Sequence, residues 1–574
     1  MSSIRVHDWI LKVFPALFFF SFLVGSLHAQ EESGKVPDVR VKMSDGVHLS
    51  ADVYLPDSTG KFPVILIRTP YNKSSLTKIG EHFAKTGYAV LIQDVRGQGK
   101  SEGQFMPFTF EKQDGLETLN WLDLQPWCNG EVGLWGVSYL AYNGFMVLPS
   151  QHKSIKTFVS ISGFSEMDKF LGTGGAFYLQ AHLTWFMTRV GGRKLPPAEA
   201  MSKFMDRIFR TTPLSTFFQG GGKDTEVTQP KFQDISGEFH KVNIPVLHLT
   251  GWHDYLYRST LGSHQRIKDQ HKDKVFQKLI VGPWYHNQEL TEGSVVGDLD
   301  FGPKAQMGLE RILALSTKWF DHWLKGKEND VKKESPVRVF VMGLNDWKDF
   351  DEWPPRSVEY RKWYFSSEKG ANSSAGDGLL STLLPKRRSH DSFVFDPNDP
   401  VPTVGGANFH LFHDNLGVKN QVEIEKRQDV LVYTSALLDR PMQVIGPLKV
   451  ILYASTEGVD TDFTAKIVEV KKDGYARIIE DGIIRARNRK SLTKPEMVKP
   501  GEIYQYEIDL GATAIELESG SRIRVEISSS NFPKYDRNPN TGEEPMDAVE
   551  FKKVLQKIFF SKEYPSHILL PVLK

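Results

Sequence analysis

The chain has 574 residues, more than a single hydrophobic core accommodates, so two or three domains are expected. Hydrophobic residues make up 40% of the sequence and charged residues 25%, which is the composition of an ordinary globular protein. The 71 basic and 70 acidic residues leave a net charge of +1, which gives no reason to expect binding to nucleic acid or to an anionic membrane surface.

The N-terminal segment 1–29 has the composition of a signal peptide. Arg5 and Lys12 precede an apolar run at 13–24, and small residues follow before Gln30. The run is shorter than the about 20 apolar residues that span a bilayer, so a signal peptide is favoured over an uncleaved membrane anchor. The sequence therefore predicts an exported protein, secreted or periplasmic, whose mature chain starts near Gln30 and does not reside in the membrane.

Strands alternate with helices through the first part of the mature chain. Alternating apolar residues at 38–55 predict a hairpin. Continuous apolar strands are predicted at 62–67, 88–93, 157–161, 244–250 and 278–281, and helices at 111–124 and 309–323. Continuous apolar strands separated by helices indicate a parallel sheet that is covered on both faces. We assign residues 30–163 and 239–330 to this α/β core.

The alternation of strands and helices is interrupted once and then ends. Residues 164–238 have a helical pattern rich in aromatic residues and Met, which we interpret as a helical lid inserted into the core. After a charged linker at 326–336, short alternating strands with turn residues between them continue to the C terminus. This pattern predicts an all-β domain, a sandwich or jelly roll, over residues 336–574.

One stretch of the core carries the pattern of a nucleophile elbow. Leu134-Trp135 is followed by Gly136-Val137-Ser138, and residues 141–148 are predicted to be helical. In such an elbow a strand, a strained turn that carries the serine and a helix N-terminus follow one another. Gly-x-Ser is common by chance, so on this stretch alone an ordinary glycine-led turn is the alternative.

Three potentially catalytic residues each follow a predicted strand directly. They are Ser138, Asp254 and His286, in the chain order that α/β-hydrolases use. Catalytic groups gather at the carboxyl ends of strands in an open parallel sheet, and a serine nucleophile needs an imidazole base that a carboxylate orients. Asp94 and His253 are competing strand-end residues, and we interpret His253 as structural because it directly precedes the acid and would point away from it. The sequence thus predicts a serine hydrolase.

Several segments of the chain, the serine turn among them, resemble one known family. In the core they are residues 68–71, 94–103, 136–139, 251–254 and 282–286, and in the C-terminal part they are 400–406, 460–463 and 530–533. With them the sequence resembles the cocaine esterase and X-Pro dipeptidyl-peptidase group of α/β-hydrolases, the CocE/NonD family. The resemblance covers nearly the whole chain after the signal segment. It implies an α/β-hydrolase core, a helical lid and a C-terminal jelly-roll domain, with the acyl pocket between them.

The resemblance also implies roles for individual residues. Ser138 would be the nucleophile, His286 the base and Asp254 the acid of a catalytic triad. The oxyanion hole would consist of the Tyr71 hydroxyl and the backbone N–H of Tyr139, since a phenol aimed at the developing alkoxide is a preorganised dipole. An ordinary turn aromatic is the alternative for Tyr71.

Two further residues are assigned to substrate binding by the resemblance. Trp185 corresponds to the lid tryptophan that lines the acyl pocket of the esterases. Leu256 stands two residues after the predicted acid, where cocaine esterase has an aromatic pocket residue, so a preference for aryl groups does not carry over. Ala141 departs from the glycine that is usual in the family three residues after the serine, and it adds one methyl group without touching the triad.

The predicted function is that of a carboxylesterase with an acyl-enzyme on Ser138 and with amides as a further substrate class. The alternative is an X-Pro dipeptidyl-peptidase-type exopeptidase or an amino-acid ester hydrolase or acylase. These enzymes need buried carboxylates near the nucleophile for the substrate's α-ammonium group, because an unpaired cation is costly to desolvate. The four residues after the predicted acid contain no carboxylate, although Glu166, Asp168 or Asp206 in the lid could supply one.

No cofactor is implied, and no metal site is expected because no cluster of His, Cys and Asp residues has ligand spacing. The expected partner is a small ester or amide molecule, and the sequence leaves the oligomeric state open, a homo-oligomer included. An inactive binding protein that keeps the jelly roll and a degenerate core is a different class, and the complete triad argues against it.

Overall fold

The structure of the chain is a computed structural model that describes residues 34–56, 59–189, 232–233, 235–409 and 415–574. The predicted signal peptide lies outside the described residues, and so does much of the predicted lid, at 190–231 and 234. Within the described ranges, no helix is both long and apolar enough to cross a membrane.

Fourteen strands are found among the described residues up to Phe350, and ten of them form one sheet. They are β1 (Lys35–Lys42), β2 (His48–Tyr54), β3 (Phe62–Thr69), β4 (Ala89–Asp94), β5 (Cys128–Val137), β6 (Ile155–Ile161), β7 (Gly172–Thr173), β8 (Ala176–Phe177), β9 (Val246–Gly251), β10 (Gln277–Gly282), β11 (Val295–Val296), β12 (Leu299–Asp300), β13 (Val337–Val341) and β14 (Asp346–Phe350). The order in the sheet is β1-β2-β4-β3-β5-β6-β9-β10-β13-β14.

The middle of this first sheet is parallel from β4 to β13. The predicted hairpin forms its antiparallel edge, as β1 and β2. Every residue of β4 and nearly every residue of β3 is buried, because helices cover both faces of the sheet. The prediction of a parallel, doubly covered sheet is confirmed.

Helices of the core supply that cover on both sides, and two further helices among the described residues belong to the inserted segment. In the described part of the chain they are α1 (Thr77–Lys85), α2 (Glu111–Asp123), α3 (Tyr139–Val147), α4 (Met167–Leu171), α5 (Leu179–Arg189), α6 (Tyr257–His271) and α7 (Leu309–Lys325). α3 is buried at every position, whereas α7 buries one face, with Ile312, Ser316 and Phe320, and exposes the other. The spacing of apolar residues in the sequence of α7 therefore predicts correctly which face of the helix is buried.

The first sheet extends further along the chain than the sequence predicts. β13 pairs in parallel with β10, with Val337 opposite Leu279, and β14 adds an antiparallel edge strand to β13. Short alternating strands after a charged linker are typical of an all-β domain, so the sequence predicts both strands for the C-terminal domain. Their hydrogen bonds join them to the first sheet, so this sheet continues past the linker, and the domain boundary at residue 336 stays a prediction.

Eleven strands among the described residues after 357 form the second sheet. They are β15 (Val358–Ser366), β16 (Leu379–Ser381), β17 (Ser389–Phe395), β18 (Leu431–Thr434), β19 (Met442–Thr456), β20 (Asp462–Val470), β21 (Ala476–Arg485), β22 (Tyr504–Leu517), β23 (Arg522–Ser528), β24 (Val554–Phe560) and β25 (His567–Leu573). In β22, Tyr506, Ile508 and Leu510 are buried while Glu507 and Asp509 between them are exposed. Such one-sided burial is what the alternating sequence predicts for a jelly-roll sandwich.

The two domains share one hydrophobic cluster. Trp252 of the core packs in the same cluster as Val444 and Ile515 of the C-terminal domain. Beyond the end of β13, the Met342 N–H donates to the Ala514 carbonyl at 2.9 Å, which joins the two backbones directly. The C-terminal domain is therefore anchored on the core, close to the carboxyl edge of the first sheet.

The described part of the lid is tied to the C-terminal domain as well. It consists of α4, the short β7–β8 pair and α5. Arg485 of β21 donates to the carbonyl of Gly175 between β7 and β8, and it binds the carboxylates of Asp462 and Asp536. Asp536 also accepts the backbone N–H of Phe177. A buried ion cluster thus holds the beginning of the lid in place.

Candidate active site

Ser138 lies in a sharp turn between β5 and α3 at the carboxyl edge of the first sheet. Its backbone has φ 57° and ψ −119°, a strained conformation for a residue with a side chain. Gly136 permits the turn, because a Cβ there would lie 2.3 Å from the carbonyl carbon of Leu140. The Ser138 N–H donates to the Ile161 carbonyl at the end of β6 at 2.9 Å. The local geometry is that of a nucleophile elbow.

The three residues predicted to act together are hydrogen-bonded in series. His286 Nε2 lies 3.1 Å from Ser138 Oγ, and His286 Nδ1 lies 3.0 Å from Asp254 Oδ2. The side chain of Asp254 is completely buried, and His286 is 3% exposed. Donation from the Nδ1–H to the carboxylate leaves Nε2 as the acceptor for the serine hydroxyl.

Pairing between β9 and β10 brings the loops of the acid and the base side by side. Gly251 and Gly282 end these strands opposite each other, and the Trp252 N–H donates to the Gly282 carbonyl at 2.8 Å. The His253 N–H then donates to the Trp284 carbonyl at 3.0 Å. Gly251 has no room for a side chain, because a Cβ would lie 2.2 Å from the Trp284 carbonyl oxygen. Glycine residues at the ends of the two strands therefore allow the two loops to meet.

Asp254 makes the imidazole of His286 more basic. Burial lowers the pKa of His286, but the charge of Asp254 and its hydrogen bond outweigh burial and leave the pKa above its ordinary value. The carboxylate itself accepts the backbone N–H of Leu256 at 2.8 Å, which fixes its orientation. A buried imidazole with raised basicity is suited to accept a proton from a hydroxyl.

Tyr71 and Trp185 meet at the site. Tyr71 follows β3, and the Trp185 Nε1–H donates to the Tyr71 hydroxyl at 3.2 Å. An indole N–H can only donate, so the Tyr71 oxygen accepts and its own hydrogen is available to a third group. Burial raises the pKa of Tyr71, although Trp185 and the Arg189 guanidinium lower it, so the phenol stays protonated at neutral pH. The hydroxyl is thus arranged as a donor.

Tyr139 begins α3 directly after the serine. Its backbone N–H is in the first turn of the helix, where N–H groups have no acceptor within the helix and face outward along its axis. Its side chain is locked in the core, because the hydroxyl donates to Glu111 and accepts the Phe108 N–H at 2.9 Å. Trp185 stacks on its ring, with 5.9 Å between centroids and planes 12° apart. Trp185 therefore contacts both residues that supply the candidate oxyanion donors, Tyr71 and Tyr139.

Two aromatic residues beside His286 are not predicted from the sequence. The Tyr255 ring meets the His286 ring edge-on at 5.0 Å between centroids. Phe409 packs on Tyr255 at 5.2 Å and lies 6.4 Å from His286. Phe409 belongs to the C-terminal half of the chain, and its neighbour Asn408 forms a backbone bridge with Asp254. No local pattern in the sequence marks a residue that arrives from another domain.

The residues predicted to bind substrate differ in their surroundings. Trp185 is half-buried and contacts both Tyr71 and Tyr139, as described above. Leu256 is 1% exposed and lies in a hydrophobic cluster with Phe164 of the lid. Their roles in an acyl pocket stay predictions.

The two competing strand-end residues lie in other environments. Asp94 is buried at the end of β4, with three strands between β4 and β9, and its carboxylate accepts the backbone N–H groups of Lys73 and Lys100. His253 packs near Phe301, and its ring nitrogens have no hydrogen-bond partner among the described residues. Burial, with a smaller effect of Arg477, lowers the pKa of His253 to about 3. The geometry thus pairs Asp254 with His286 and leaves Asp94 and His253 apart.

The fold and this serine, histidine and aspartate arrangement define an α/β-hydrolase of the serine hydrolase class. Residues 45–288 match the X-Pro dipeptidyl-peptidase family (S15 family), and residues 329–569 match the X-Pro dipeptidyl-peptidase C-terminal non-catalytic domain. The chain is 34% identical to cocaine esterase from Rhodococcus sp. (strain MB1 Bresler), in an alignment that covers 94% of this chain and 98% of that esterase. The chain therefore belongs to the S15 family of hydrolases, the CocE/NonD group, and the predicted resemblance is confirmed.

Solved structures show the same two-domain fold. An α-amino acid ester hydrolase superposes with a TM-score of 0.77 at 24% identity, covering 98% of this chain and 100% of that one. An aminopeptidase from a marine sediment archaeon, Thaumarchaeota archaeon, also gives 0.77 at 23% identity, covering 96% and 99%. At this level of identity the two structures support the predicted fold class, an α/β-hydrolase core with a C-terminal β domain, and nothing finer.

Proposed function

We propose that this protein is an exported carboxylesterase whose catalytic triad is Ser138, His286 and Asp254. The observation that carries the proposal is the buried hydrogen-bonded series from Asp254 through His286 to the Ser138 Oγ, at 3.0 and 3.1 Å. A serine hydroxyl in contact with an oriented imidazole is the minimum that acyl transfer to serine requires.

In the proposed reaction, Ser138 Oγ attacks the ester carbonyl while His286 Nε2 takes the hydroxyl proton. The Tyr139 N–H and the Tyr71 hydroxyl donate to the oxyanion, and they are already in place before the charge develops. His286 then gives its proton to the leaving alcohol, which leaves an acyl-enzyme on Ser138. Water that is deprotonated by His286 then attacks the acyl carbon, the bond to Ser138 Oγ breaks, and His286 returns its proton to Oγ as the acid leaves. Asp254 stabilises the imidazolium in both steps.

The surroundings of the carboxylates in the described part of the lid favour a substrate without a free α-ammonium group. Glu166 is buried, but Lys169 Nζ lies 3.0 Å from its Oε2 and Arg266 Nη2 lies 2.6 Å from its Oε1. Asp168 is exposed and accepts the backbone N–H of Lys169. Asp206, the third predicted carboxylate, lies outside the described residues. Glu166 is thus already paired with two cations, whereas a buried ammonium group needs a carboxylate that is not paired with another cation.

The residues that follow the proposed acid also lack a cation site. The Tyr257 hydroxyl accepts the Ala512 N–H at 3.1 Å. The Arg258 guanidinium donates to the backbone carbonyls of Asp481 and Asp509. Both side chains are engaged with the C-terminal domain. Together with the 34% identity to a cocaine esterase, this supports an ester substrate with an uncharged acyl group of modest size.

A comparison of two chromogenic substrates tests the proposal. The mature enzyme is expected to hydrolyse p-nitrophenyl acetate or butyrate with a far higher kcat/KM than Gly-Pro-p-nitroanilide. Ser138→Ala serves as the blank, and wild-type rates in that variant would exclude Ser138 as the nucleophile. The reverse order of kcat/KM would support the second candidate, a dipeptidyl-peptidase, which the family match over residues 45–288 keeps in view.

Export is part of the proposal and rests on the composition of residues 1–29. N-terminal sequencing of the native protein is expected to find a start near Gln30 in a periplasmic or extracellular fraction. Recovery of Met1 on membrane-bound protein would favour the uncleaved anchor.

A further inference from the structure

Glu289 is a buried carboxyl that the proposed reaction does not use. It lies in the short 3-10 turn Gln288–Leu290, three residues after His286, and its exposed fraction is 0%. The Ser162 hydroxyl donates to Oε1 at 3.3 Å, and Oε2 has no hydrogen-bond partner among the described residues. Burying a carboxyl with an unsatisfied oxygen is costly, so its position calls for a physical reason.

The surrounding backbone holds this carboxyl at the catalytic edge of the sheet. Ser162 directly follows β6, and its N–H donates to the Leu249 carbonyl of β9 at 2.7 Å. The residue before it, Ile161, accepts the N–H of Ser138. On the other side, the Glu289 carbonyl accepts the Gly308 N–H at 3.0 Å. Glu289 is therefore fixed between the strand ends that carry the nucleophile and the acid.

The charged groups that act on Glu289 belong to the proposed triad. Burial and the charge of Asp254 raise the pKa of Glu289 to about 7, and His286 opposes them. Glu289 in turn raises the pKa of His286 and of Tyr285 in the same loop. α7 begins against this turn, but its first charged residues, Glu310 and Arg311, are exposed. The electrostatic partners of Glu289 are thus Asp254 and His286.

We propose that Glu289 is a positioning residue of the catalytic centre, a second buried carboxyl that acts on His286 together with Asp254. The proposal rests on the triad proposed above. Two neighbouring carboxylates cannot both stay ionised at low cost beside a neutral imidazole, so the resting site keeps a proton on Glu289 for part of the population near neutral pH. When His286 becomes an imidazolium, an ionised Glu289 stabilises it. Glu289 and His286 therefore titrate as a coupled pair.

The sign of the effect on the pH profile follows from this coupling. Activity requires a neutral His286, and an ionised Glu289 favours the protonated, inactive imidazole. Glu289→Gln removes that charge, so His286 should lose its proton at a lower pH. The acid limb of the kcat/KM profile is expected to move to lower pH by roughly half a unit or more.

The test measures kcat/KM for p-nitrophenyl butyrate against pH in the full-length mature enzyme. Glu289→Gln should shift the acid limb, Glu289→Asp should restore it toward wild type, and Glu292→Gln should leave it unchanged. Glu292 is the matched control, because it lies in the same loop but is exposed. An acid limb of folded Glu289→Gln that coincides with those of wild type and Glu292→Gln would overturn the proposal.

A second variant decides the question if Glu289→Gln does not fold. Ser162→Ala removes the hydroxyl that stabilises the ionised carboxyl, so Glu289 stays protonated to higher pH and the acid limb should move in the same direction by less. An unmoved limb in this variant would count against the coupling. A wild-type enzyme without esterase activity, with Ser138→Ala no slower than wild type, is a different outcome. It would refute the proposed function itself, and not only the role proposed for Glu289.

Discussion

At the scale of single residues, the proposed site consists of groups whose geometry is set before any substrate arrives. Ser138 has a positive φ, and the atoms packed around its turn leave no room for the turn to relax. Asp254 is oriented by a backbone N–H, and His286 is oriented by Asp254. Preorganised groups of this kind act as a unit, so removing one of them should remove most of the rate.

The first prediction compares two buried strand-end aspartates. Ser138→Ala and His286→Ala should each lower kcat by on the order of 10⁴-fold or more, and Asp254→Asn should be nearly as damaging because the histidine takes the wrong tautomer. Asp94→Asn is the matched control: it should lower the thermal stability, since Asp94 accepts backbone N–H groups from two loops, and leave kcat largely intact. A larger loss of kcat for Asp94→Asn than for Asp254→Asn would exchange their roles.

At the scale of secondary-structure elements, the lid helix α5 contacts two residues of the candidate site through Trp185. Trp185 donates to the Tyr71 hydroxyl after β3 and stacks on Tyr139 at the start of α3. Since the indole nitrogen can only donate, it leaves the Tyr71 hydrogen for another acceptor. The lid thereby controls how a residue of the core presents its hydroxyl.

The second prediction is a double-mutant cycle on this contact. Tyr71→Phe should lower kcat by about 10²–10³ with little change in KM, because one oxyanion donor is lost. Trp185→Phe should cause a smaller loss, and the double variant should be no slower than Tyr71→Phe, because the two residues share one function. Tyr88→Phe is the control, since that buried hydroxyl donates to Asp321 instead. Fully additive losses would show that Trp185 acts only as a pocket wall.

At the scale of the whole molecule, three parts of the chain converge on one edge of the first sheet. The core supplies the proposed nucleophile, acid and base, the lid supplies Trp185, and the C-terminal half supplies Phe409 beside His286. The buried cluster of Arg485, Asp462 and Asp536 ties the lid to the C-terminal domain. The relative placement of the domains therefore bears directly on the site.

The third prediction concerns that cluster. Arg485→Ala leaves two buried carboxylates without their cation, which should lower the free energy of unfolding by about 3–5 kcal/mol. Denaturant unfolding followed by circular dichroism measures the change. Arg356→Ala is the control, because Arg356 pairs with Glu352 while its side chain is 87% exposed, and surface pairs contribute little. Equal stability of the two variants would show that the cluster does not hold the molecule together.

Much of the core and of the candidate site could be predicted from the sequence, because those features have local signatures. β3 and β4 are continuous apolar runs, since both faces of a parallel strand are buried. The elbow requires a glycine two residues before Ser138 for steric reasons, and that requirement is visible in the sequence. Asp254 and His286 were identifiable because parallel strands place their carboxyl ends at one edge.

Which strands pair and which side chains meet across the chain could not be predicted from the sequence. Residues 337–350 have the pattern of short strands after a linker, but β13 and β14 show that such a pattern does not identify the strand with which each one pairs. Phe409 and Glu289 carry no local signal, because a lone aromatic and a lone acid are ordinary residues until folding buries them beside His286. The local elements and the chain order of the candidate catalytic groups could be predicted from the sequence, since these depend on periodicity and sterics over a few residues. Strand pairing, burial and the electrostatic surroundings of the proposed triad depend on contacts between residues far apart in the chain, and these contacts exist only once the chain has folded.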